Sequence, residues 1–206
     1  MAARGYASNV FINCPFDDAY LALRNAIVFA VFDCGFTPRC ALEENNGGDV
    51  RFTKIQRLIA NSKFGIHDIS RTGPDAATGL PRFNMPLELG VFIGARHFGD
   101  ETQQRKNCLI LDFEPYRYQA FISDIAGNDI QSHENNPERA IGHVRNWLND
   151  ASGRKTIPGG RDIVRRYRLF RQELPNLCAK AHVTVDELMY NDYSRFVSAW
   201  LKANER

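Results

Sequence analysis

"KFGIHDISRTGPDAATGLPRFNMPLELGVFIGARHFGDETQQRKNCLILDF", residues 63–113, places a long apolar helix between two short apolar runs. The runs "KFGIHDIS" (63–70) and "NCLILDF" (107–113) have strand length, and near-continuous apolar character suits strands covered on both faces. "FNMPLELGVFIGARHFG" (83–99) carries a proline near its start and stays apolar for about three turns. Strand, helix, strand in that order is the crossover unit of a parallel sheet.

The alternation extends upstream. "NVFINCPF" (9–16) predicts a buried strand that stops at Pro15. "DDAYLALRNAIVFAVFDCG" (17–35) predicts a helix with acidic residues at its start and Gly35 just past its end. "FTPRCAL" (36–42) predicts a second strand, weakened at its start by Pro38. After the polar loop "EENNGGD", "RFTKIQRLIANS" (51–62) sets Phe52, Ile55, Leu58 and Ile59 on one helical face. Four rounds of strand and helix predict an α/β fold with a doubly wound parallel sheet.

Downstream the pattern changes. A fifth strand is expected near Ile130, then a helix with Asn136 as N-cap, Pro137 at its first position and an apolar stripe of Ile141, Val144, Trp147 and Leu148. "SGRKTIPGG" (152–160) reads as a linker. Beyond it, Ile163, Tyr167, Phe170 and Leu174 form one stripe, Thr184 and Glu187 a capping box, and Tyr193, Phe196, Val197, Trp200 and Leu201 another stripe. The expected organisation is an α/β domain over 1–133 and a helical C-terminal appendix over 134–206.

Composition bounds the function. The 206 residues suffice for one sizeable core, and a net charge of +2 gives no argument for nucleic acid or a membrane as partner. The five cysteines are odd in number, lie mostly in apolar runs and form no C-x-x-C pair, which fits reduced thiols better than disulfides or zinc. No metal site is expected, because the histidines lack ligand spacing. Without an apolar leader or a run approaching the roughly 20 residues of a membrane span, the expected address is the cytoplasm.

In a doubly wound sheet, ligands bind outside the carboxyl ends of the strands. That rule selects "NCPFDD", "EENNGGD", "DISR" and "GLPRFNM", gathering Asp17, Asp18, Glu43, Glu44, Asp68, Arg71, Arg82, Asn84 and Glu88 on one edge. Arginines beside helix starts suit a phosphate or diphosphate, and carboxylates suit sugar hydroxyls. The plain alternative is a solvated loop face. Glu88 has its own two readings. It is a first-turn charge favoured by the helix dipole, or a carboxylate in a dry setting where burial raises its pKa. Gly90 and Gly94 fit close approach of the helix to another element or to a ligand. Cys14 fits strand-end packing, with a Cys–His pairing as the alternative. No G-x-G-x-x-G, Walker loop or G-x-S-x-G is present.

"NVFINCPFDDAY" resembles the first strand and acidic loop of Toll/interleukin-1 receptor (TIR) domains. "FNMPLELGVFIGARHFG…NCLILD" resembles the N-x-x-x-E-L-G-x-F-x-G helix and following strand of bacterial TIR-like effectors. The E-L-G is also similar to that of nucleoside 2-deoxyribosyltransferases, which share the flavodoxin-like architecture and use a glutamate nucleophile. The match spans roughly residues 8–130, and Asn84-Met85 replaces the tryptophan-cysteine pair of many TIR domains. The resemblance implies a catalytic Glu88, with Asn13, Cys14, Phe16, Asp17, Asp68, Arg71, Arg82 and Asn84 around the substrate. It also implies an NAD-cleaving N-glycosidase without a prosthetic group, a nucleotide ligand, self-association into a homo-oligomer and a role in bacterial antiphage defence. A non-catalytic nucleotide-sensing module and a deoxyribosyltransferase are the competing readings. Arg161, Arg165 and Arg168 form a basic helix face, either solvated or facing nucleic acid or an acidic partner.

Overall fold

The computed structural model describes residues 5–75 and 79–205. Five strands form one all-parallel sheet in the order β2-β1-β3-β4-β5, the flavodoxin-like arrangement. They are β1 (Asn9–Asn13), β2 (Thr37–Cys40), β3 (Phe64–Asp68), β4 (Asn107–Asp112) and β5 (Ile130–Ser132). β2 lies at an edge, where a residue such as Pro38 that cannot donate to a ladder is tolerated. The chain leaves β1 toward β2 and then returns to pair β3 on the other side of β1. That reversal opens a crevice between β1 and β3 at their carboxyl ends.

Side-chain alternation splits the sheet into two faces. Val10, Ile12, Phe64, Ile66, Leu109 and Leu111 meet α1 (Leu21–Asp33) and α5 (Pro137–Ser152). Phe11 and Ile110 face the other way, toward α2 (Arg51–Ala60) and α3 (Asn84–Phe98). A single turn that was not expected, α4 (Glu101–Gln104), joins α3 to β4, its start capped by the Asp100 carboxylate 2.9 Å from two backbone N–H groups.

The last two helices, α6 (Gly160–Lys180) and α7 (Tyr190–Ala203), pack outside α1 and share its core. Residues 26–31 of α1 are therefore buried without interruption, with sheet on one side and helices on the other. Phe29 has Tyr167, Phe170 and Trp200 rings at 5.3, 5.5 and 6.1 Å. An apolar surface on all sides belongs to such an enclosed helix. Gly35 ends α1 at φ +80°, its N–H bonding Phe32 O while Phe36 N–H bonds Val31 O, the paired bonds of a Schellman cap.

Past residue 136 the chain is mostly α5, α6 and α7, and Asn136 caps α5 through the Glu138 and Arg139 N–H groups, with Pro137 at its first position. Arg166 of α6 bonds Asp33 at the end of α1 (3.2 Å) and Asn204 O beyond α7 (2.8 Å), tying three helices at one buried point. The expected box at Thr184 closes a turn and starts no helix. Glu187 accepts the Thr184 N–H and hydroxyl, yet α7 begins only at Tyr190, with Asp192 accepting the Met189 N–H. Among the described residues, no helix is long and apolar enough to cross a membrane.

α3 is less enclosed than its apolar run suggests. Only Met85, Glu88, Leu89 and Phe92 are buried, and Leu87 is 54% exposed. The reason is layering, since the extra helices α6 and α7 cover the α1 face of the sheet and leave α3 with an open outer side. A Cβ added at Gly90 or Gly94 meets nothing within 4 Å, so neither glycine serves close packing. Close approach occurs instead at Gly65 in β3, where a Cβ would lie 2.7 Å from the Phe92 ring and 2.8 Å from His67 Nε2.

Two substitutions to alanine should thus act in opposite directions. Gly90→Ala should raise unfolding free energy in urea by roughly 0.5–1 kcal/mol, through helix propensity in open space. Gly65→Ala should lower it by roughly 1–3 kcal/mol, because the added methyl overpacks the sheet–helix contact.

Candidate functional site

The β1/β3 crevice holds a cavity of about 360 Å³. Its wall contains Asn13, Cys14, Phe16, Asp17, Arg71, Arg82, Asn84 and Glu88, whereas Asp18, Glu43, Glu44 and Asp68 of the expected edge do not line it. Strand parity explains the Asp68 exception. Asn13 pairs in register with His67 and points to the α3 face with Phe11, whereas Asp68 points to the α1 face with Ile66. Asp68 is fully buried beneath the crevice, accepting the Tyr20 hydroxyl at 2.5 Å and the Ser70 N–H at 2.9 Å. His133 Nε2 lies 2.9 Å from the same carboxylate, off the line of a good hydrogen bond.

Asn13 is held rigidly. Its amide nitrogen donates to Met85 O (2.8 Å) and His67 Nδ1 (3.1 Å). Met85 O can only accept, which fixes the nitrogen inward and leaves Asn13 Oδ1 for a ligand donor. Burial and the nearby Lys106 ammonium pull the His67 pKa down to about 3, so the ring is neutral and Nδ1 is the acceptor.

Glu88 is 7% exposed. Among the described residues nothing donates a hydrogen bond to its carboxylate. The helix starts at Asn84, so Pro86 is its third residue and Glu88 its fifth, in the second turn. The first-turn reading is thereby corrected, and the dipole acts weakly there because it fades beyond the first turn. Desolvation dominates and lifts the Glu88 pKa to about 7 from 4.5, opposed by the Arg51 guanidinium.

Arg51 was not singled out from the sequence. It is the first residue of α2, its guanidinium lies 5.6 Å from the Phe16 ring centroid, and it lines the cavity beside Glu88. The strand-end rule reaches it once the polar loop 43–49 is followed to the start of the next helix. Arg71 lies 3.6 Å from Asp17, and Arg82 pairs with Asp75 at 2.7 Å. The two arginines and Asp17 also border a second hollow of about 370 Å³ with Ser70 and Arg117. Glu43 and Glu44 stay outside the cavity wall, engaged by Arg39 and Arg57.

Cys14 is buried, and burial pushes its thiol well above the ordinary range, so it is a protonated packing group without nucleophilic character. Among the described residues no group of three His, Cys, Asp or Glu is placed to hold a metal ion. Arg165 and Arg168 of the basic helix face pair with Asp162 and Glu138. No family model, curated protein or solved structure matches the chain.

The raised Glu88 pKa has a signed consequence for stability. As pH rises from about 4.5 to about 7, the unfolded chain loses this proton before the folded chain does, so stability falls across that window and is level above it. Glu88→Gln should therefore stabilise the fold at pH 8 by on the order of 1–3 kcal/mol and leave it unchanged at pH 4. Urea melts at the two pH values read this directly, and equal destabilisation at both would contradict the desolvated carboxylate.

Proposed function

We propose that the crevice binds a nucleotide whose N-glycosidic bond is cleaved at Glu88, with NAD as the substrate. The observation that carries this reading is a buried carboxylate without a hydrogen bond, on the wall of a cavity that arginines share. Such a group turns its charge to the cavity with no protein donor to neutralise it, and it gains from positive charge developing beside it. Breaking the bond between ribose C1′ and the nicotinamide nitrogen creates that charge. The electron pair returns to the pyridinium, which leaves neutral, and Glu88 stabilises or captures the oxocarbenium carbon before water adds.

The supporting groups take parts that suit their chemistry. Arg71 and Arg82 exchange their aspartate partners for the diphosphate, by charge-assisted hydrogen bonds. Asn13 Oδ1 accepts a ribose hydroxyl, and the exposed Asn84 amide is free to reach the sugar or base. Asp68 is the acid that a neutral purine leaving group would call on, and it lies under the floor, bonded to Tyr20 and Ser70. Asp17 does line the cavity, but its Oδ1 accepts the Tyr20 N–H and faces Arg71. A cationic leaving group needs no acid, which favours NAD over purine nucleosides and over deoxyribosyl transfer. The motif resemblance extends the proposal to a self-associating TIR-like effector.

Incubation of concentrated protein with NAD, under crowded conditions and followed by chromatography, tests this. Nicotinamide release should rise with pH up to about 7 and plateau above, as Glu88 ionises. Glu88→Gln should cut the rate by roughly a hundredfold or more. Arg82→Ala should raise KM about tenfold, the value of one lost charged hydrogen bond. Absence of release, or release that survives Glu88→Gln, sinks the proposal. Nucleotide binding that raises Tm without turnover would mark a sensor instead.

A further inference from the structure

Glu88 stands at the junction of two chambers. Arg51, Asn84 and Glu88 line both the 360 Å³ polar cavity and a neighbouring slot of about 280 Å³ between α2 and α3. The slot's remaining walls are Phe52, Ile55 and Leu87. Phe52 and Ile55 lie one turn apart on α2, while Asn84, Leu87 and Glu88 are one turn apart on α3, so two helix faces oppose each other. Phe52 and Leu87 are large apolar side chains, 38% and 54% exposed. Apolar walls left open to water beside a charged cavity are a feature of ligand sites, and 280 Å³ is small for a whole nucleotide when such pockets run about 300–1,000 Å³.

We propose that this slot takes the planar heteroaromatic base of the nucleotide, held between Phe52 and Leu87, while the sugar spans Glu88 and the phosphates lie in the polar cavity. The inference rests on the nucleotide reading of the crevice and adds the residues that select the base. Continuity fixes the occupant. A bond cleaved at Glu88 needs its two fragments on opposite sides of that carboxylate, and one side is cationic and polar while the other is apolar. The polar side suits anionic phosphates, and the flat apolar side suits a ring. Asn84, at the mouth of the slot, supplies an amide donor and acceptor for the ring's polar edge.

The test uses the full chain with labelled isoleucine and leucine methyl groups, titrated separately with nicotinamide, adenine and ADP-ribose. Free nicotinamide, the base released at Glu88, should shift the Ile55 and Leu87 methyl signals. Leu87→Trp, which fills the slot from an exposed position, should weaken that binding by about tenfold or more, and Phe52→Ser by about tenfold. ADP-ribose affinity should stay within about twofold in both variants, which also certifies their folding. If nicotinamide moves neither methyl, or if Leu87→Trp binds it as the parent does, the slot assignment is wrong. The underlying reading is scored separately through NAD turnover. Base binding lost in Leu87→Trp, in a parent that releases no nicotinamide, keeps the slot and removes the nucleosidase. Release at unchanged KM in Leu87→Trp keeps the nucleosidase and removes the slot.

Discussion

The Asp68 carboxylate accepts the Tyr20 hydroxyl and the Ser70 N–H, and His133 stands against it, with the Asp68, Tyr20 and His133 side chains all buried. These partners come from the turn after β1, the loop after β3 and the segment after β5. A carboxylate taken wholly out of water is tolerated only when its oxygens are satisfied, so the three segments are not free to choose other positions. His133 Nδ1 accepts the Asn135 N–H, which leaves its remaining proton on Nε2, facing Asp68. The floor of the crevice is therefore a fixed polar knot. What sits above it, from Asn13 to Asp17, inherits its place from this knot and from the Asn13 bonds to His67 and Met85.

The two faces of the sheet are built to different standards of enclosure. On the α1 side, aromatic contacts around Phe29 and the Arg166–Asp33 pair hold two further helices, α6 and α7, over an uninterrupted apolar run. α5, α6 and α7 thereby complete the core of residues 21–33, whose apolar surface would otherwise face water. On the α3 side there is one helical layer, and Leu87, Gly90 and Phe98 look outward. The cavity lies on the thinner side, where a helix carries a buried carboxylate on one flank and opens a slot on the other.

Much of this was legible in the sequence, for identifiable reasons. Strands covered on both faces announce themselves as apolar runs, and Gly35, Asn136 and Pro137 mark helix ends because backbone geometry demands those residues. The strand-end rule collected the cavity wall because the fold brings those loops together whatever their sequence. The failures have equally physical causes. α3 and α1 look alike in composition, and only the count of layers outside each helix separates an enclosed one from an open one. The start of α3 was misplaced because a proline is tolerated anywhere in the first turn, where its missing N–H is no loss. Asp68 belongs to the strand-end edge by loop position, and only strand parity shows that it turns beneath the cavity instead of lining it. Arg51 and Phe52 were passed over because a helix start adjacent to a loop belongs to both, and the apolar stripe claimed Phe52 for the core.

Gly65 sets a dimension of the site from below. Phe92 lies one turn beyond Glu88 on the same flank of α3, and its ring rests where a Cβ at residue 65 would be, edge-on to His67 at 4.9 Å. His67 in turn receives the Asn13 amide. The height of the Glu88 carboxylate over the sheet and the placement of Asn13 are thus gauged from one spacer, a bare α-carbon flanked by two rings. Loops around the crevice can lengthen, shorten or exchange their side chains without altering that measure. The reach between the carboxylate and the amide is machined into the sheet, in a strand that contributes no residue to the cavity wall.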